Sequence, residues 1–199
     1  MLKKIVLGTI AAVVLAACGG EGSNSASSAP AQSGAASGSL IERINNKGTI
    51  TVGTEGTYAP FTYHDKDGKL TGYDVEVTRA VADKLGIKVE FKETQWDSMM
   101  AGLKAGRFDV VANQVGLTSP ERQATFDKSE PYSWSGAVLV ARKDSNIKSI
   151  DDIKGVKTAQ SLTSNYGEKA KAAGADLVAV DGLAQSLTLI EQKRADATL

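Results

Sequence analysis

The residue most able to do chemistry is Arg122, in the run Ser119-Pro120-Glu121-Arg122. Ser119 is a good helix N-cap, and Pro120 stands where the first helical residue needs no N–H. Glu121 suits the positive end of that helix, whereas a cation in the first turn opposes the helix dipole. An arginine kept there is either an ordinary solvated side chain or one facing an anion that the free N–H groups also bind. The latter chemistry is fork-like recognition of a carboxylate or phosphate. Glu55, Tyr58, Trp96, Asn113 and Thr118 each follow a predicted strand, where an α/β sheet opens its binding crevice.

The elements that must position these residues are legible in order. Ser39 and Glu42 form a capping box for a short helix that Gly48 ends, and a strand follows around Ile50 and Val52. Phe61 to Tyr63 and Lys69 to Thr71 read as a hairpin, with the lone His64 exposed in its turn. A helix then starts with Asp74 as N-cap, with Val77, Ala80, Val81 and Leu85 as its apolar face and Gly86 as its stop. Ile87, Val89 and Phe91 alternate as a strand. Thr94 to Asp97 offer a cap for a helix through Leu103, and 108–112 reads as a buried strand. A further strand is expected over 134–141. A second β-α-β-α-β series fills 150–199, with a helix opening at Ser164. Two such series predict an α/β protein of two lobes, each a mainly parallel sheet flanked by helices.

The chain has 199 residues, with 23 basic and 23 acidic side chains. That balance gives no support for nucleic-acid binding. One cysteine excludes an internal disulfide and a cysteine-based metal site, and a lone histidine adds none. No Gly-x-Ser-x-Gly elbow and no phosphate-binding Gly-x-x-x-x-Gly-Lys loop is present. No cofactor is expected. Lys3 and Lys4 precede an apolar run over 5–17, which is too short to span a bilayer. It ends in Leu15-Ala16-Ala17-Cys18, which resembles a bacterial lipoprotein signal, with cleavage before Cys18 and lipidation on it. Residues 19–39 are rich in Ser, Ala and Gly, and as a flexible tether would reach about 25 Å.

Several motifs together resemble one family. They are Gly53-Thr54 with Tyr58-Ala59-Pro60-Phe61, Gly72-Tyr73-Asp74-Val75, Phe108-Asp109-Val110, Ser119-Pro120-Glu121-Arg122 and Glu130-Pro131-Tyr132. This set is similar to the amino-acid-binding subfamily of periplasmic solute-binding proteins, which serve ABC importers. The resemblance implies the two-lobe type II fold, in which the lobes close over an amino acid. It assigns the α-carboxylate to Arg122, with Thr118 beside it and Thr163 and Ser164 reaching it from the second lobe. Tyr58 and Trp96 would wall the ligand, with Asn113, Gly116 and Glu55 as further contacts. The loop 113–118 is one residue longer than the family's spacing to the arginine. The family's ammonium-binding aspartate would fall just past Leu199, and Asp196 matches a structural aspartate instead.

The expected organisation is therefore a signal over 1–17, a lipidated Cys18 with its tether over 18–39, and lobe I over 40–141. Lobe II covers 142–199. Both lobes are expected to be incomplete at a truncated C-terminus. The expected partners are an amino acid, an importer permease and a membrane reached through the lipid alone, with the protein a monomer in the cell envelope. Asn113-Gln114-Val115 resembles members that bind cystine or cysteine. The other readings are a cyclohexadienyl dehydratase on the same fold and an adhesive surface lipoprotein.

Overall fold

A computed structural model describes residues Gly38–Leu199. The signal, Cys18 and all but the end of the tether lie outside the described residues. Helix α1 (Leu40–Lys47) carries the expected capping box of Ser39 and Glu42 and ends on Gly48 in the left-handed conformation. Strand β1 (Thr49–Thr54) follows, and β2 (Thr57–Tyr58), β3 (Thr62–His64) and β4 (Leu70–Thr71) form a small antiparallel sheet. Helix α2 (Tyr73–Leu85), strand β5 (Lys88–Glu93), helix α3 (Trp96–Lys104) and strand β6 (Val110–Val111) complete the first lobe. Its main sheet has the order β5-β1-β6, with β1 parallel to both neighbours.

After the short helix α4 (Pro120–Thr125), strand β7 (Val140–Ala141) already belongs to the second sheet. A single 3-10 turn over Ile150–Ile153 leads to β8 (Lys157–Gln160), α5 (Asn165–Ala172), β9 (Asp176–Ala179), α6 (Leu183–Glu191) and β10 (Ala197–Thr198). The order is β7-β10-β8-β9, parallel except for the antiparallel β7. The architecture is thus two α/β lobes with mainly parallel sheets.

The first core is built from Val52, Val75, Met99 and Phe108. Phe108 fits because Gly53 and Gly102 lack side chains: a Cβ at either would lie 2.7 Å from its ring. Next to it, Asp109 accepts from the Thr51 N–H at 2.8 Å and from its hydroxyl at 2.6 Å, which locks β6 against β1. In the second lobe Ile153, Ala170 and Ala197 pack together, as do Ala159, Val180, Leu189 and Ile190. Arg142 clamps that lobe by donating to the Ile190 and Ala195 carbonyls and to Asp196, so Asp196 has a structural role.

Five local expectations are corrected. Asp74 is not the N-cap of α2; Gly72 is, and Asp74 is fully buried within the first turn. The helix buries Asp74, Val75 and Ala82, which leaves Val81 and Leu85 in solvent, because its packed stripe faces β4 and β5. Thr94 does not cap α3, since its N–H goes to the Thr54 carbonyl and extends the β1–β5 ladder. Residues 134–139 form no strand, and Trp134 is 83% exposed, because among the described residues no strand pairs with them. The strand expected over 108–112 is regular only at Val110–Val111.

Candidate functional site

Helix α4 begins as its sequence requires: the Ser119 hydroxyl accepts the Arg122 N–H at 3.3 Å, and Pro120 takes the first position. Arg122 nevertheless does not point to water, being only 7% exposed. Its guanidinium donates to the Gly116 carbonyl at 3.0 Å and to the Thr163 carbonyl at 2.6 Å. The Trp96 ring covers it, with the guanidinium carbon 5.4 Å from the ring centroid. Among the described residues no carboxylate pairs with this cation. This buried charge is satisfied by two carbonyl dipoles and a π-face. The buried Trp96 indole N–H is without a partner.

Thr163 is where the lobes meet. Asp97, in the first turn of α3, accepts from the Thr163 hydroxyl at 2.6 Å and from its N–H at 3.2 Å. With its carbonyl on Arg122, every polar group of Thr163 is bound to the first lobe. Ser164 is used differently: its hydroxyl caps α5 by accepting the Gly167 N–H and donates to the Ser161 carbonyl. Thr118 is exposed at the approach to α4.

The other predicted residues gather at the end of β1. Asn113, almost fully buried, accepts from the Glu55 N–H at 2.8 Å and donates to the Glu55 carboxylate at 2.6 Å. It therefore holds Glu55 in place and has little capacity left for a ligand. Burial pushes the Glu55 carboxyl above its usual range, and the nearby Asp97 charge adds to this against the Asn113 bond. Tyr58 packs on Phe61 at 5.1 Å, and burial raises its hydroxyl pKa, with a contribution from Tyr166 of the second lobe. An open cleft of about 470 Å³ runs alongside, lined by Glu55, Thr57, Glu93 and Gln95 from one lobe and Gly182 and Gln185 from the other. Arg122 and Trp96 do not line it; Glu55 links it to the strand end where Asn113 sits. Nearby, His64 lies between the Gly56 carbonyl and the Glu93 carboxylate. Among the described residues no group of acidic, histidine or cysteine side chains is suited to a metal ion.

Asp97, Asp74 and Gln114 escape a reading of the sequence. Asp97 looks like any acidic residue at a helix start, and its partner lies 66 residues away. Asp74 is buried and binds Gln114, which has a φ of 51° that no local motif announces.

Two α/β lobes joined through a buried guanidinium define a two-lobed binding protein. The chain belongs to the bacterial extracellular solute-binding proteins, family 3, whose profile matches residues 50–196. It is 61% identical over 163 residues to a probable amino-acid ABC transporter-binding protein of Haemophilus influenzae, covering 81% of this chain and 63% of that one. It is 54% identical over 202 residues to the L-cystine-binding protein TcyA of Bacillus subtilis, covering 99% of this chain and 73% of that one. The chain thus spans less than two thirds of the Haemophilus relative. Among solved structures, the L-cystine solute receptor of Neisseria gonorrhoeae in its unliganded open conformation is 95% identical over 81% of this chain and 69% of its own, with a TM-score of 0.49. The ancestral amino-acid-binding protein AncCDT-1 is 36% identical over 80% of this chain and 73% of its own, with a TM-score of 0.75. That likeness gives the periplasmic-binding-protein fold.

Proposed function

We propose that this protein is the extracytoplasmic receptor of an amino-acid ABC importer, and that its ligand is L-cystine. The observation that carries the reading is the buried Arg122, a cation with two carbonyl partners and a tryptophan face but no carboxylate. An amino acid's α-carboxylate supplies that charge and matches the guanidinium fork. Thr163 and Asp97 join the lobes beside it, so ligand capture and closure are one event. Tyr58, Trp96 and Glu55 wall the ligand, and the closed form is what a permease recognises. Cystine is favoured because TcyA, a relative matched along nearly the whole chain, is a cystine-binding protein.

Lipidation of Cys18 anchors the receptor to a membrane, with the 19–39 tether giving it reach. Among the described residues no helix is long and apolar enough to cross a membrane. Replacing Cys18 with Ser should release the protein from the membrane fraction.

The deciding experiment is a thermal-shift panel of the complete protein, stripped of ligand, against all amino acids and cystine. A ligand at about a hundred times its dissociation constant adds roughly 2.7 kcal/mol and raises Tm by several degrees. A shift with cystine that Arg122→Ala abolishes supports the reading. No shift with any amino acid refutes it.

A further inference from the structure

We infer that Asp74 is a positioning residue for the binding site: it holds Gln114 in the left-handed conformation that brings the Gly116 carbonyl to the Arg122 guanidinium. The inference rests on the reading of Arg122 as the ligand's carboxylate anchor and concerns how its loop is held. The Asp74 side chain is fully buried, and each of its oxygens accepts from Gln114, while the Tyr132 hydroxyl also bonds the carboxylate. One oxygen accepts the Gln114 N–H at 2.7 Å, and the other accepts the Gln114 side-chain amide at 2.6 Å.

Gln114 needs such a clamp. Its φ of 51° is a region that residues with a side chain rarely adopt, and among the described residues only Lys193 shares it outside the glycines. From Gln114 the chain runs two residues to Gly116, whose carbonyl takes one arm of Arg122 at 3.0 Å. If Gln114 relaxed to a negative φ, the next peptides would swing away and that acceptor would leave Arg122. The charge of Asp74 is placed where a helix N-terminus favours it, within the first turn of α2. The far side of Gln114 is fixed too, since its amide oxygen accepts the Ser133 hydroxyl at 3.0 Å. Tyr73, next to Asp74, donates to the Tyr132 carbonyl at 2.7 Å. One buried carboxylate thus ties the binding loop to the segment that leads toward the second lobe.

The test uses the protein carrying Trp134→Phe, which removes the exposed tryptophan and leaves Trp96 as the sole indole of residues 1–199. Three quantities are read: hydrogen exchange over 113–118, Trp96 emission without ligand, and cystine affinity. Asp74→Asn should speed exchange in the loop, move Trp96 emission toward that of Arg122→Ala, and weaken cystine binding by about tenfold or more, the loss of a bond to a charged group. Adding Gln114→Gly should recover most of the affinity, because glycine holds a positive φ without a clamp. A purely structural role in the core would not be rescued by a glycine 40 residues away. If Asp74→Asn fails to fold, folding restored in the double variant supports the inference and its absence overturns it. Unchanged exchange and emission in Asp74→Asn, or no rescue by Gln114→Gly, also overturns it. Exchange and emission need no ligand, so a failure of cystine to bind would remove the proposed function and leave Asp74 to be judged on these two.

Discussion

Replacing Asp97 with Ala should open the two lobes. Its carboxylate takes two bonds from Thr163, at 2.6 and 3.2 Å, and both cross from the first lobe to the second. The pair is exposed, so water competes, and the two bonds together are worth about 1–2 kcal/mol rather than their buried value. Both bonds span the two lobes, so parting of the lobes breaks them. Their loss lowers the closed population, and the apparent affinity of a ligand enclosed by both lobes falls by the same factor, about 5- to 30-fold. Calorimetry with cystine should show that loss, and stopped-flow should place most of it in faster release. Small-angle scattering of the cystine-bound protein at sub-saturating ligand should show a larger mean radius. Unchanged affinity would mean that the contact contributes nothing to closure. Tighter binding would refute the reasoning more sharply, because Asp97 would then be competing with the ligand for the Thr163 donors.

Arg122→Lys should keep the charge but lose the fork to Gly116 and Thr163, weakening cystine binding by about a hundredfold, or some 3 kcal/mol, as calorimetry would show. Gly53→Ala should destabilise the first lobe by about 1–3 kcal/mol in urea denaturation, because the new methyl meets the Phe108 ring at 2.7 Å. Burial raises the Glu55 carboxyl above its ordinary 4.5, so the folded state keeps a proton that the unfolded chain has released. That stabilising contribution is present below the ordinary value and is lost as pH rises through the raised one. The stability of the wild type relative to Glu55→Gln should therefore fall as pH rises across the mildly acidic range. A flat difference across that range would refute the assignment.

The features legible in the sequence were those whose partners are near in the chain. The Ser39–Glu42 box and the Ser119 cap each span three residues, and both are present. Arg122 was conspicuous because its charge opposes its helix, and the structure buries it. The parallel β5-β1-β6 sheet followed from alternating strands and helices. The rest depended on contacts that composition does not encode. Asp74 and Asp97 are both acids at helix starts, a position any solvated acid favours, so nothing local separates either from a cap. The α2 sequence holds apolar residues around much of its circumference. Choosing Val81 and Leu85 as its buried side failed because the sheet lies against Val75 and Ala82. The apolar run 134–139 has strand composition, but a strand also requires a neighbour to bond to.

Arg122 has one tether in its own lobe, the Gly116 carbonyl, and one across the gap, the Thr163 carbonyl. Its helix, Pro120–Thr125, is six residues long and too short to be rigid by itself. When the lobes part, the guanidinium gives up a partner and the site becomes a half-site. On the proposed function, an arriving solute would then meet a cation short of acceptors, electrostatically eager but geometrically unfinished. Selectivity in a receptor built this way would be exercised late: many carboxylates could touch the half-site, and only one that tolerates the second lobe's return would be retained. Discrimination should therefore appear in residence time far more than in the rate of encounter.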